Sequence, residues 1–358
     1  MLFLVREMEA VFISSLKVLL DAVAEEMELY VPKKSGEHFV YTRYDASAES
    51  GVEFNNIRAC MPVKEFLFPL RGLAAIFPAP FKAEDIKAFA VFGLKDCDLR
   101  SLECLDKVFL EEELRDPSYV ARREKMFIIS SDCFKPGKTC FCNIMGGRPF
   151  LQSGFDLNVS QVKDGFIIEV GSPKGKDFVE KHPELFTDAP DGALAERDRN
   201  RAEVQKQLER QNADLEFDVP TKEIMESGQD SDAWDVEAKS CIECQACTRV
   251  CPTCHCFYLY DTRQKDYFSK MKMWDSCMRC AYAAVAGGAN PRKILGDRLK
   301  HRLMHKFCYF LDRYGIQMCV GCGRCVDADA GEIDIRAILK KLYQELKGKD
   351  KVKAKVAQ

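Results

Sequence analysis

Residues 241–256 read C-I-E-C-Q-A-C-T-R-V-C-P-T-C-H-C, and residues 319–325 read C-V-G-C-G-R-C. The first stretch carries the full C-x2-C-x2-C-x3-C-P spacing by which bacterial chains hold a cubane iron–sulfur cluster. Three thiolates sit in one tight loop, and the proline after the fourth cysteine turns the chain away. The second stretch repeats the first three cysteines, Cys319, Cys322 and Cys325, starting 68 residues after Cys251. Two such runs in one chain seldom arise by chance, and together they imply an electron carrier.

Where two runs share a domain, the fourth cysteine of one ligates the cluster of the other. On that rule Cys251 completes the set Cys319, Cys322 and Cys325, while Cys241, Cys244 and Cys247 need the matching residue after Cys325. That residue is Asp329, followed by Ala330 where proline is expected. A carboxylate is a harder and weaker ligand for iron in a sulfide cubane than a thiolate. Three outcomes stand open: Asp329 ligates, the cluster stays three-iron, or another cysteine substitutes. Cys280, in W-D-S-C-M-R-C, is the candidate substitute. Tetrahedral zinc on the first run is the competing reading, and it fits two runs with shared ligands less well.

The gap between the runs is longer than in a small β-type ferredoxin, and residues 297–314 and 335–346 have helical spacing. Residues 232–346 are therefore expected to form an all-helical ferredoxin-like domain with two 4Fe-4S clusters between helix ends. Cys254, Cys256 and Cys277 either ligate or line the clusters as weak S–H donors. The basic stretch 292–313 (Arg298, Lys300, His301, Arg302, His305, Lys306 and Arg313) is by default a solvated helix face. The alternative is that its charge offsets that of nearby clusters and raises their potentials.

In the first half, residues 12–28 have helical apolar spacing. The runs 88–94, 125–130 and 165–170 read as buried strands, with a helix over 98–109 between the first two. Residues 1–186 are thus expected to form an α/β domain, with a mixed or parallel sheet flanked by helices. Cys97 and Cys133 lie just past the ends of two neighbouring strands, at the sheet edge where such folds place ligands. Cys140 and Cys142 follow in a loop bounded by Pro136, Gly137, Gly146 and Gly147. These four thiols make a third cluster site, with structural zinc or plain buried thiols as the alternatives. Cys60, Cys104 and Cys308 are most simply core residues.

Residues 187–231 are charged, without a strong apolar stripe, and read either as a solvated helical linker or as a strap for a partner subunit. Residues 347–358 read as a flexible tail.

The chain has 358 residues, 47% of them hydrophobic, with a formal charge of −3. That balance implies no general attraction to nucleic acid. Eighteen cysteines are the outlier. Arg6, Glu7 and Glu9 interrupt any signal-peptide core, and no apolar run reaches the roughly 20 residues that cross a bilayer. A reducing, cytoplasmic setting with metal-binding cysteines is the expectation. Dinucleotide, P-loop and nucleophile-elbow motifs are missing, which favours a conduit over a catalyst.

The stretches F-G-L-K-D-C-D-L (92–99), D-P-S-Y-V-A-R-R-E (116–124), T-C-F-C-N-I-M-G (139–146), C-P-T-C-H-C-F (251–257), W-D-S-C (274–277), A-G-G-A-N-P-R (286–292) and M-C-V-G-C-G-R-C (318–325) carry a resemblance. The chain resembles the iron–sulfur beta subunits of soluble sulfhydrogenases. It is similar also to an iron–sulfur subunit of anaerobic sulfite reductase, and to iron–sulfur subunits of flavin oxidoreductase modules linked to heterodisulfide reductase. The resemblance implies a cytoplasmic multisubunit complex in which a flavin subunit exchanges electrons with NAD(P)H. This chain would relay them to or from a hydrogenase, sulfite-reductase or heterodisulfide-reductase-type partner. It also implies cysteines at positions 97, 133, 140 and 142 acting as one site. The family pattern has C-P where Asp329 and Ala330 stand, and it lacks Cys280, which is therefore expected to compensate. The alternative function is an oxidoreductase subunit binding flavin or deazaflavin, with its own substrate site in the first domain.

Overall fold

The computed structural model describes residues 10–47, 52, 54, 57–78, 86–113, 115–263 and 265–356. The N-terminal reading of residues 1–9 lies outside these. Ten strands are present among the described residues: β1 (Ala10–Ile13), β2 (Glu28–Ser35), β3 (His38–Arg43), β4 (Arg71–Phe77), β5 (Phe89–Leu94), β6 (Met126–Ser131), β7 (Leu157–Val162), β8 (Gly165–Val170), β9 (Phe257–Arg263) and β10 (Phe268–Trp274). Seven form a mixed sheet in the order β1-β8-β7-β6-β5-β2-β3. Its centre, β2, β5, β6 and β7, is parallel, and β8, β1 and β3 add antiparallel edges. β5 and β6 are buried at every residue, as their continuous apolar runs require of strands covered on both faces. Two apolar layers supply the cover. Leu19, Val23 and Phe178 lie in one, and Leu102, Leu105 and Tyr119 in the other.

The helix expected over 12–28 begins later, at Leu16–Glu26. Phe12 instead lies in β1, an edge strand set against β8 and hydrogen-bonded to Thr187.

Beyond residue 220 the chain is helix-rich, around a core of Trp234, Leu299, Leu303, Phe307, Ile338 and Leu342. It is not all-helical. The β9–β10 hairpin lies between the two cysteine runs, and β10 pairs antiparallel with β4 from the first half. One three-stranded sheet thus draws strands from both ends of the chain. The helix Ile335–Val356 runs through most of the expected tail.

The charged segment also departs from a solvated linker. The helix Ala193–Gln211 lies against the main sheet with Val204 and Leu208 buried. Arg201 pairs with Asp132 at 2.7 Å and also with Glu169, and Arg197 reaches Glu169 at 3.1 Å. Charge, more than an apolar stripe, docks this helix.

Candidate metal centre

β5 and β6 run parallel, so their carboxyl ends open on one crest of the sheet. Cys97 sits in the first turn of the helix Asp96–Phe109 and Cys133 two residues past β6. Cys140 and Cys142 come from the following loop, and all four line one small cavity. Cys322 of the second run lines it too. The loop is braced from outside: Gln211 Nε2 donates to Gly137 O and Cys140 O, both at 2.9 Å, and Asn212 Nδ2 donates to Cys140 O at 3.0 Å. Burial pushes the Cys133 thiol up to about 12 and holds Cys97 and Cys142 well above the usual thiol value.

The second run packs directly onto that loop. Phe141 N donates to Gly321 O at 2.8 Å, and Thr139 Oγ1 donates to Asp327 at 2.7 Å. Gly321 and Gly323 have φ of +65° and +73°, and a Cβ at Gly321 would fall 2.5 Å from Phe141 O. Only glycine meets both demands without strain. The equivalent positions of the first run are Glu243 and Gln245, with φ of 56° and 65°. Non-glycine residues in that region cluster at functional sites, where the surrounding structure holds them. Matching left-handed positions in both C-x2-C-x2-C loops mark the same backbone device used twice.

Cys251, Cys319, Cys322 and Cys325 influence one another electrostatically, and burial holds Cys319 at about 11 and Cys325 at about 12. A hydrogen bond from the Cys254 thiol, with Lys306 and Lys64 nearby, keeps Cys251 well below the usual thiol value against its burial. Cys241, Cys244 and Cys247 form another group, which runs from the buried Cys247 to the exposed Cys244. Burial raises Cys241 and Cys247, and the Asp329 carboxylate beside them adds to it. Cys280 is exposed, with Asn290 Nδ2 3.9 Å from its sulfur. Cys256 and Cys277 pair with each other at the foot of the β9–β10 hairpin, where a hydrogen bond from Cys277 holds Cys256 at about 6.

Sequence reasoning missed Lys64 and Lys95 beside these thiols, and it took a solvated face as the first reading of the stretch holding Arg302 and Lys306, with a charge-offsetting role as the alternative. Lys64, Lys95, Arg302 and Lys306 are each no more than 3% exposed. None has a carboxylate within ion-pair distance among the described residues. Lys306 Nζ lies 3.1 Å from Cys251 Sγ, and Lys64 Nζ donates to Thr248 O and Cys254 O at 3.1 and 2.9 Å. Lys95 Nζ donates to Ser131 Oγ and Asp132 O next to Cys133. Arg302 Nη2 donates to Cys247 O at 3.3 Å, while its buried Nε has no partner. The spacing 298, 302, 306 with Leu299, Leu303 and Phe307 alongside was the available signal. Its helix turns this basic face inward, not to solvent.

Buried charges are costly unless compensated. Neutral thiols do not compensate them. A cubane with four thiolates carries a net −2 in its oxidised 2+ core state, so thiol sets ringed by unpaired ammonium and guanidinium groups fit such a group well. Zinc would draw four sulfurs onto one centre at about 2.3 Å each. Cubane thiolates bind separate corner irons and have no need to converge.

An α/β sheet whose cysteine crest is packed onto a helix-rich pair of cluster loops defines an iron–sulfur electron-transfer protein, and residues 240–333 match the 4Fe-4S dicluster domain. Over 327 residues, 89% of this chain and 93% of the relative, it is 30% identical to sulfhydrogenase 2 subunit beta of Pyrococcus furiosus. The chain belongs to the iron–sulfur beta-subunit family of sulfhydrogenases. Its cofactors are 4Fe-4S clusters. No helix of the described residues is long and apolar enough to cross a membrane.

Proposed function

We propose that this chain relays single electrons within a cytoplasmic multisubunit oxidoreductase, between a flavin subunit that exchanges electrons with NAD(P)H and a hydrogenase, sulfite-reductase or heterodisulfide-reductase-type partner. Three clusters form the relay. Cys97, Cys133, Cys140 and Cys142 hold one at the sheet crest; Cys251, Cys319, Cys322 and Cys325 hold the next; Cys241, Cys244 and Cys247 hold the outermost. The observation that carries the reading is the contact of Gly321 with the Phe141–Cys142 backbone, with Cys322 lining the crest cavity. It sets the first two thiol sets side by side, and the third opens to the surface at Cys244. The clusters supply one-electron chemistry at potentials that a protein can tune over roughly −700 to +450 mV. The residues around them hold charge and exclude water.

Replacing Cys140 and Cys142 together by serine tests the relay in the intact complex. The expected result is loss of one cluster signal and a collapse of NAD(P)H-dependent turnover of the partner, with the remaining signals unchanged. Full turnover without the crest cluster would refute it.

One feature favours the alternative, a flavin or deazaflavin site in the first domain. A cleft beside Asp96 is lined by Arg100, Arg123, Gly146, Gly147, Arg148 and Phe150. Arg100, Arg148 and the aromatic ring suit a ring cofactor with an anionic group, while Glu103, Asp106 and Glu111 share the lining and Arg123 is paired with Asp106. Stoichiometric flavin retained by the purified single chain would establish that reading, and flavin-free protein with cluster absorbance alone would dismiss it.

A further inference from the structure

We propose that Asp329 supplies the fourth ligand to the cluster held by Cys241, Cys244 and Cys247, making one of its irons labile. The inference rests on the relay reading and specifies one of its sites. The helical turns Ala246–Arg249 and Arg324–Asp327 pack against each other, and the Asp329 carboxylate lies near Cys241 and Cys247. Cys251 stands with Cys319 and Cys325. In mirror fashion, the loop carrying Asp329 lies on the start of the first run. Gly331 is so close to Ser240 O, one residue before Cys241, that a Cβ there would collide with it. The loop is tied in place by Gly331 N–H to Asp329 Oδ1 at 2.9 Å and by Glu332 N–H to Asp329 O at 3.0 Å, with Glu332 held at φ 58°.

The carboxylate is half-buried and has no ion pair among the described residues. The rival, Cys280, faces Asn290 at the surface.

An oxygen ligand binds iron of a sulfide cubane less firmly than a thiolate does. Asp329 can therefore release its iron when the cluster is oxidised: [4Fe-4S]2+ gives [3Fe-4S]+, Fe2+ and one electron, which a one-electron oxidant such as ferricyanide accepts. Ferrous iron with a one-electron reductant reverses the step. The exposed edge at Cys244 gives the ion a path out.

The test is a ferricyanide titration of the intact, anaerobically purified protein, read by electron paramagnetic resonance and iron analysis. Wild type should lose a single iron per chain as an oxidised three-iron signal rises, and regain it with ferrous iron and dithionite. Asp329→Cys should keep that iron and show no three-iron signal. Asp329→Ala should hold the three-iron form as isolated, and Cys280→Ser should behave as wild type. A three-iron signal undiminished in Asp329→Cys, or loss of the fourth iron in Cys280→Ser, would overturn the assignment of Asp329 and leave the relay standing. Wild-type protein without iron–sulfur signals would overturn both.

Discussion

At the scale of single residues, the cations around the thiols decide how readily the clusters take an electron. Burial works against the charge of Lys306, yet Cys251, Cys254 and Cys319 outweigh it and hold the ammonium protonated. A unit charge a few ångströms from a cluster contributes about 3 kcal/mol at an effective dielectric near 20, on the order of 100 mV for one electron. Lys306→Met should lower the potential of the cluster at Cys251, Cys319, Cys322 and Cys325 by about that much, measured by a redox titration followed by paramagnetic resonance. An unchanged potential would contradict the role given to Lys306. The cysteines were legible because thiolate spacing is fixed by the cluster itself. Lys64 and Lys95 were not, since lysine is almost never fully buried unless paired and nothing in the sequence shows their partner, while Arg302 and Lys306 were legible only as the second reading of a basic stretch.

At the scale of elements, the two cluster loops share a backbone but not a sequence. Gln245→Gly in the first run replaces a strained residue at φ 65° and should be neutral or stabilising by up to about 1 kcal/mol. Gly323→Ala in the second run, at φ +73° against Thr139 O, should cost about 1–3 kcal/mol. Thermal denaturation of the two holoproteins checks both signs. The β9–β10 hairpin and the docking of the helix Ala193–Gln211 escaped the sequence reading because much of what they turn inward is polar. β10 buries Ser269 and Lys272 while Phe268 is exposed, and Lys272 pairs with Asp116. The helix sets the half-buried Arg197 and Arg201 against the buried Glu169, and Ala193, Val204 and Leu208 are its buried apolar residues, too few to make a strong stripe. Arg201→Ala should then destabilise the protein by about 1–3 kcal/mol, because Asp132 loses its ion pair while Glu169 keeps Arg197 and Asn158 as partners. A variant as stable as wild type would show that the helix docks by other means.

At the scale of the whole molecule, the α/β sheet, the cysteine runs and the helix-rich second half were readable in outline, because each rests on local spacing. The join between the halves was not. It depends on β4 pairing with β10, on Arg324 pairing with Asp98 at 2.7 Å, and on the second run lying in the Thr139–Cys142 loop. These are contacts between residues at least 179 positions apart. Because Lys64, Lys95, Arg302 and Lys306 have no carboxylate partner among the described residues, stripping the clusters should leave these buried groups short of counter-charge, with the Cys251 sulfur beside Lys306 as partial compensation. The apoprotein should melt well below the holoprotein, and Lys306→Met should narrow the difference. Equal melting temperatures would argue against clusters as the counter-charge. The most direct measurement is iron, zinc and acid-labile sulfide content of the anaerobically purified chain, joined to its paramagnetic resonance spectrum after dithionite reduction. The account predicts iron and sulfide in comparable amounts, with magnetically interacting clusters in both halves. Zinc in place of iron, or a reduced protein without any paramagnetic signal, would contradict it.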